Sequence, residues 1–539
     1  MRNLLGLIFL TISLLLQAKN DPTTSRSMLA KRTDSSIKID GELNEASWAI
    51  VGAASQFVQL EPRPGENASF DSEVKLLYDD KAIYVGAHLK DNQPDSIYIQ
   101  FSERDDVGVV DWFGLVLDTY QDGQNAVGFY VTAAGVQIDS KISEGGFGSN
   151  NPINVGDESW DAVWESHVKI VDDGWIVEMM IPYSALRFAN AEVQSWNLNF
   201  CRMIRRYREQ SFWSPIDPAG SGFMVQSGVL ENLENIKSPV RLSATPFIAG
   251  YAEVYKDPAS DPEKSTGQSF NGGMDIKYGI NEAFTLDMTL IPDFGEARSD
   301  QQVLNLSPFE VRFNENRQFF TEGTELFNRN GLFYSRRVGG STTNYEEVEN
   351  HLNLNEEIKE NPTTAKLLNA TKISGRTESG LGIGFFNAVE GATHATIRDI
   401  ETGNTRRWKT SPLTNYNVLV FNQNLKNNSS ATIINTNVLR DGAAYDANVL
   451  GAELSLNNKK NTYSFGTSGA FSSKIYPGSN YNGHTWAASF GKTAGNFNWR
   501  LGYSEESDTY DPNDLGFLYN NNSREVFGNL SLARYEDFG

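Results

Sequence analysis

The chain has 539 residues, with 68 acids against 46 bases and a formal net charge of −22. That balance excludes the basic field a nucleic-acid partner needs. The only cysteine, Cys201, excludes an internal disulfide and a cysteine-based zinc site.

The five histidines are scattered, with no pair at metal-ligand spacing. Frequent glycine, 12% aromatic residues and few helix-like runs lean the chain to an all-β fold. The start carries a short basic head, an apolar core over residues 4–16 and a polar turn in which Ala18 is a cleavage position. This predicts a signal peptide over 1–18, since a bilayer span needs about 20 apolar residues. Beyond it no apolar run is long enough for a membrane helix, so any membrane crossing must use strands.

A first unit is expected over 34–235. Residues 37–39 alternate as a strand does, and 42–48 read as a helical turn ending on Trp48. Residues 73–78 and 82–89, joined by Asp79, Asp80 and Lys81, form a hairpin pattern. Further runs at 112–118, 127–132, 135–142, 162–171, 174–181 and 196–203 are separated by Gly/Asp turns. Short strands at this spacing predict a β-sandwich.

The series Lys38 to Leu43 followed by Trp48, then Leu76 to Val85, Leu117 and Asp118 with the Asp122, Gly123 turn, resembles the family 9 carbohydrate-binding modules. Gly135 to Gln137, Trp160 to Glu165, and Trp175 to Glu178 running into Ile181, Pro182 and Tyr183 continue that resemblance. It implies a jelly-roll-like sandwich that binds sugars, sometimes with calcium. Sugar rings stack on aromatic faces while acids and amides bond their hydroxyls. Trp164 and Trp175 sit in strand patterns and read as core. Trp112 and Trp160 lie beside acids and turn residues and are the candidate platforms, with Asp111 and Asp118 as hydroxyl acceptors. Asp105, Asp106 and Asp122 offer hard oxygens that suit calcium, or are solvated turn acids; no cofactor is required.

No GxSxG elbow, P-loop or HExxH is present, and the acids are too numerous for a catalytic pair to be picked. Cys201, in a strand pattern, reads as a packed small residue. If the chain is an enzyme, it is a glycoside hydrolase or an accessory to carbohydrate catabolism.

After a polar boundary at 231–239 the texture changes. A second unit over 239–539 shows longer strand candidates alternating small or apolar with polar residues, at 241–255, 272–280, 284–291, 365–375, 380–389, 416–425, 431–440, 447–456, 463–471, 485–492, 497–503 and 524–534. These predict an antiparallel, outer-membrane type β-barrel with an irregular insert at 291–362. In the insert, aromatic residues without periodicity, among them Phe309, Phe319 and Phe320, alternate with arginines and acids, which predicts a buried segment with ion pairs.

Pro292 to Gly295, Asn305 to Glu310, Arg317 to Gly323 and Leu332 to Gly339 appear in that order. This series, with Phe309, Arg317, Phe319, Phe320, Glu322, Gly323, Arg336 and Arg337 as signature residues, resembles an uncharacterised bacterial family. Its members carry a family-9-type module before a predicted outer-membrane barrel. The final residues 535–539 lack a closing strand with a terminal aromatic, so the barrel is expected to be incomplete.

The resulting expectation is an exported carbohydrate-binding protein attached to an outer-membrane barrel, binding a glycan or cell-envelope polysaccharide. Its N-terminal domain would be periplasmic or exposed outside the cell. The alternative is a porin or assembly barrel with a docking sandwich and no sugar role.

Overall fold

The computed structural model describes residues 26–143, 156–157, 160–189, 191–220, 222–237, 242–256, 264–281, 283–292, 303–315, 317–321, 323–324, 326–377 and 379–535. The expected signal peptide and Glu322 lie outside the described residues.

The fold is all-β apart from short helical turns. Its first part is two sheets face to face. One sheet runs in the order Ser27–Leu29, Gly228–Glu234, Val193–Ile204, Trp112–Asp118, Asn125–Thr132, Gln137–Ser143, Gly156–Asp157, with Glu209–Phe212 and Val58–Glu61 attached at its side. The other runs Glu165–Val171, Gly174–Pro182, Ala82–Lys90, Ser72–Tyr78, Lys31–Arg32. Strand alternation places Val74, Leu76, Val85, Val177 and Met179 of the second sheet against Phe113, Leu115, Phe129, Leu198 and Phe200 of the first.

Both sheets are also covered on their outer faces. The helical turn Ala46–Ala49 lays Trp48 over Leu77 and Tyr84, next to Ile37. Residues 37–39, expected as a strand, fold as irregular chain that puts Ile37 into this cover. The segment around Phe212, Phe223 and Met224 covers Val116, Tyr130 and Cys201. Burial holds the Cys201 thiol protonated, which suits a packing role.

The second part is a twelve-stranded antiparallel sheet in chain order from Leu242–Lys256 to Ser523–Leu532, one strand for each of the twelve expected. Strands Thr393–Asp399 and Thr405–Ser411 leave it and pair with Glu356–Glu360 as a small separate sheet. The sheet is open, in keeping with the incomplete barrel expected. Leu242–Lys256 and Ser523–Leu532 are the two edges, and no pairing joins them among the described residues.

One face of the large sheet receives the insert. Phe320, Phe327, Leu332, Phe333 and Val338 pack on Phe386, Ala388, Val418, Val420 and Ile434. The opposite face is apolar and open: in Thr414–Leu425, Val418 and Val420 are buried while Leu419 and Phe421 are 41% exposed.

The two ends of the sheet differ. At one end the connections are short, as at 280–283, 377–380, 426–428 and 493–496, and the sandwich abuts them. The insert and the long connection 507–522 leave and rejoin the sheet at the other end, where the small sheet also lies, and the insert reaches back along the sheet's face to the short-turn end.

Candidate functional site

A cavity of about 860 Å³ lies where the sandwich meets the short-turn end of the large sheet. Strands Asn125–Thr132 and Gln137–Ser143 give one wall, through Asn125 and Lys141. The loop 160–164 lays Trp160, Asp161 and Trp164 beside them. Across the gap stand Lys277, Thr285 and Arg376 of the sheet, with Gly323 and Leu326 of the insert.

Local packing fixes the sandwich wall. Trp160 and Trp164 both meet Phe129 edge-on, with ring centroids 5.9 and 5.4 Å away. Lys141 Nζ stands 5.6 Å over the Trp160 ring. The loop is pinned by Asp139, which is fully buried and accepts from the Ala162 amide, from Trp164 Nε1 at 3.3 Å and from Arg104. Burial pushes the Asp139 carboxyl up, opposed by the Ala162 amide and Arg104. Arg104 also donates to Gln137 Oε1 at 2.7 Å and to Asp161 Oδ1 at 3.3 Å. One guanidinium thus ties the strand, the loop and the cavity wall together.

The far wall is joined to the sandwich by direct hydrogen bonds. Asn424 Nδ2 donates to Asp122 Oδ2 at 2.9 Å, Gln124 Nε2 to the Ser429 carbonyl at 3.3 Å, and Arg187 Nη1 to Ser374 Oγ at 3.4 Å. Asn424 Oδ1 in turn accepts from Arg376 at 2.8 Å. Gly123 has φ +65, and a Cβ there would stand 2.5 Å from Asn428 Oδ1, so this approach needs glycine.

The expected site residues divide by position. Trp160 is 8% exposed and lines the cavity. Trp112 is corrected to a core residue: it is 3% exposed and edge-on to Tyr130 at 5.8 Å under the outer cover of its sheet, with no open face for a sugar. Asp111 is likewise interior and accepts from the Arg205 amide at 2.9 Å. Asp118 is buried at the cavity end of its strand, where it accepts from the amides of Tyr120, Asp122 and Gly123 and from Asn197 Nδ2.

The acids considered for calcium do not converge. Asp105 accepts from the Asp139 amide at 3.1 Å and Asp106 from the Gly108 amide at 3.0 Å, both in one loop. Asp122 lies beyond the far end of Trp112–Asp118 and accepts from the Gln124 and Asn125 amides. Among the described residues no group of three or more His, Cys, Asp or Glu side chains has metal-holding geometry. Burial pushes the Asp105 carboxyl up to about 6, opposed by the Asp139 amide and helped by the Asp139 carboxylate.

Lys141, Arg187, Lys277 and Arg376 were not singled out by sequence. They are brought together only by the junction of two units, and a strand-ending arginine such as Arg376 is an ordinary feature on its own.

Of the described signature residues, Gly323 lines the cavity and the others serve contacts within the insert and with the sheet. Arg317 donates to both Glu315 oxygens and to the Ser335 and Val338 carbonyls, and lies 4.2 Å over the Phe320 ring. Lys372 Nζ donates to the Phe319 carbonyl and sits over its ring. Gly323, at φ +61, approaches Ser374. Arg336 holds the Asn314 carbonyl and Arg337 the Glu310 carboxylate. Phe309, 45% exposed, meets Tyr519 edge-on.

Residues 238–539, more than half of the chain, match the family model "Domain of unknown function (DUF5916)". The chain belongs to the DUF5916 family. Residues 39–224 of this DUF5916 chain match "Carbohydrate family 9 binding domain-like".

Among solved structures it is similar to a family 9 carbohydrate-binding module from Caldicellulosiruptor kristjanssonii in complex with cellotriose, at 14% identity over 38% of this chain and 93% of that one, TM-score 0.26. A putative carbohydrate-binding protein from Bacteroides uniformis matches at 12% identity over 39% and 99%, TM-score 0.30. OmpT, an outer-membrane protein of Vibrio cholerae, matches at 12% identity over 54% and 97%, TM-score 0.22. No curated protein matches the chain.

Proposed function

We propose that this protein holds a saccharide in the cavity between its sandwich and the short-turn end of an outer-membrane sheet. The observation that carries the reading is the cavity wall. A tryptophan steered by Phe129 stands beside the amide of Asn125, the carboxylate of Asp161 and the ammonium of Lys141. An aromatic ring meets the apolar face of a sugar, and groups of this kind bond its hydroxyls. The match of residues 39–224 to a carbohydrate-binding model supports the same reading.

Membrane attachment rests on the large sheet. Its outer face shows a continuous set of exposed apolar side chains, including Ile248, Phe270, Leu419, Phe421, Ile433, Leu450, Phe490 and Leu501. A soluble protein rarely leaves so wide an apolar surface open, whereas a transmembrane sheet requires it. In transmembrane barrels the short turns face the periplasm and the long loops face outward. That rule puts the sandwich in the periplasm and the insert-bearing end outside.

The test is calorimetric titration of the full chain in detergent against a panel of oligosaccharides. Trp160→Ala should weaken any binding about tenfold, or ~1.4 kcal/mol. A folded protein that stays silent across the panel would remove the sugar role.

A further inference from the structure

We infer that Asp139, which a ligand in the cavity cannot touch, is a positioning residue that sets how tightly the cavity holds its saccharide; this rests on the saccharide reading above. The Asp139 side chain has no exposed surface. It accepts from the Ala162 amide, from Trp164 Nε1 at 3.3 Å and from Arg104. The first two donors belong to loop 160–164. One carboxylate therefore grips this loop by its backbone and by a side chain.

The loop needs such a grip. Residues 160–164 lie outside the strand ladders, and Glu165–Val171 begins only after them. Asp161 and Val163 are exposed, so burial anchors the loop through Trp160, Ala162 and Trp164. Both tryptophans meet Phe129 edge-on. Such contacts let a ring slide, whereas a hydrogen bond weakens steeply once its donor turns away. Strand alternation places Gln137, Asp139 and Lys141 on one side of Gln137–Ser143. Lys141 stands over Trp160, Asp139 holds the middle of the loop, and Gln137 Nε2 donates to the Trp164 carbonyl at 3.3 Å. Arg104 closes the set. Bound to Asp139, it donates to the Ala162 carbonyl at 3.0 Å and to Asp161 Oδ1 at 3.3 Å. Asp139 thus acts on the loop twice, directly and through Arg104. A platform already held in its binding shape spares the ligand the loss of freedom that ordering it would bring.

The experiment titrates the full chain in detergent with a glucose trisaccharide, an N-acetylglucosamine trisaccharide and a galacturonic acid trisaccharide. The proteins are the unchanged chain, Asp139→Asn, Trp160→Ala and the double variant, each well below its melting temperature. Asp139→Asn should weaken the tightest of the three ligands about tenfold. In the Trp160→Ala background it should weaken binding little further, because the platform it positions is gone. A residue that serves folding alone would lower the melting temperature and leave the affinity of the folded chain unchanged. Should Asp139→Asn fail to fold, Arg104→Gln loosens the same loop from its other side and should show the same loss and the same non-additivity.

A folded Asp139→Asn or Arg104→Gln chain with the original affinity overturns the inference and leaves the saccharide reading standing. Losses that multiply in the double variant do the same. An unchanged chain that binds none of the three sugars removes the saccharide reading, and the inference with it.

Discussion

Asp118 has no exposed surface, yet three backbone amides and the Asn197 side chain point at its carboxylate. Burial, with the Asp122 carboxylate beside it, pushes it up to about 7. The unfolded chain releases this proton near the ordinary aspartate value of about 3.9. Between those values the folded state binds more protons than the unfolded state. Stability from this group is therefore fully present below about pH 4 and is lost as pH rises through about 7. Thermal melts from pH 4 to 8 should show this decline, and Asp118→Asn should flatten it. An unchanged slope in a folded variant would mean that Asp118 does not titrate in this range.

The same residue scale shows why sequence could not rank the tryptophans. Period-2 alternation separates one strand face from the other, but here both faces of the sheet are covered. Trp112 therefore lies in the outer cover while its neighbour Phe113 lies between the sheets, and neither parity marks an open face. Trp160 was legible as a candidate because it stands among loop acids. Lys141, which stands over its ring, comes from a separate strand and left no local signal.

At the scale of elements, Arg317 ties the insert together beside its aromatic packing. The Arg317 side chain is 8% exposed and makes a forked pair with Glu315 at 2.8 and 2.7 Å, plus two carbonyl contacts. Without Arg317, Glu315 keeps the Ser335 hydroxyl and, at 3.7 Å, Arg336, so the loss lies at or below the about 3–5 kcal/mol typical of breaking a buried pair. Arg317→Ala should lower the temperature at which the detergent-solubilised protein unfolds and should release the insert to protease. Arg317→Lys should rescue it poorly, since an ammonium cannot reproduce the fork. Arg336 is more exposed and holds the Asn314 carbonyl, so Arg336→Ala should cost less. Equal losses in the two alanine variants would contradict this division.

The twelve long strands were legible because one face must be apolar throughout. The strands Thr393–Asp399 and Thr405–Ser411 were missed for the converse reason. They form a side sheet with a small apolar cluster around Val348, Ala395 and Ile397, and their sequences are mostly polar. The insert could be recognised as buried from its unpaired aromatic pattern, but the wall it meets is a matter of register between distant strands.

For the whole molecule, the membrane reading and a soluble reading differ most at the outer face of the large sheet. Leu450 is 52% exposed there, while its neighbours Val449 and Gly451 meet the inner side. If that face met water, an exposed substitution would change stability by no more than about 0.5 kcal/mol. If it meets lipid near the bilayer centre, Leu450→Arg should cost about 2–4 kcal/mol. The comparison calls for reversible unfolding of the full chain from lipid bilayers, with Asp508→Asn at an exposed position of the connection 507–522 as the water-facing control. A large penalty at 450 and a negligible one at 508 would fit a sheet whose outer face is solvated by lipid. Penalties that are small at both positions would sink the membrane assignment, and the sandwich would then have to be placed without it. The proposed sugar site would survive that outcome, because Trp160, Lys141 and Asp161 are positioned by the sandwich and by Asp139 rather than by the bilayer.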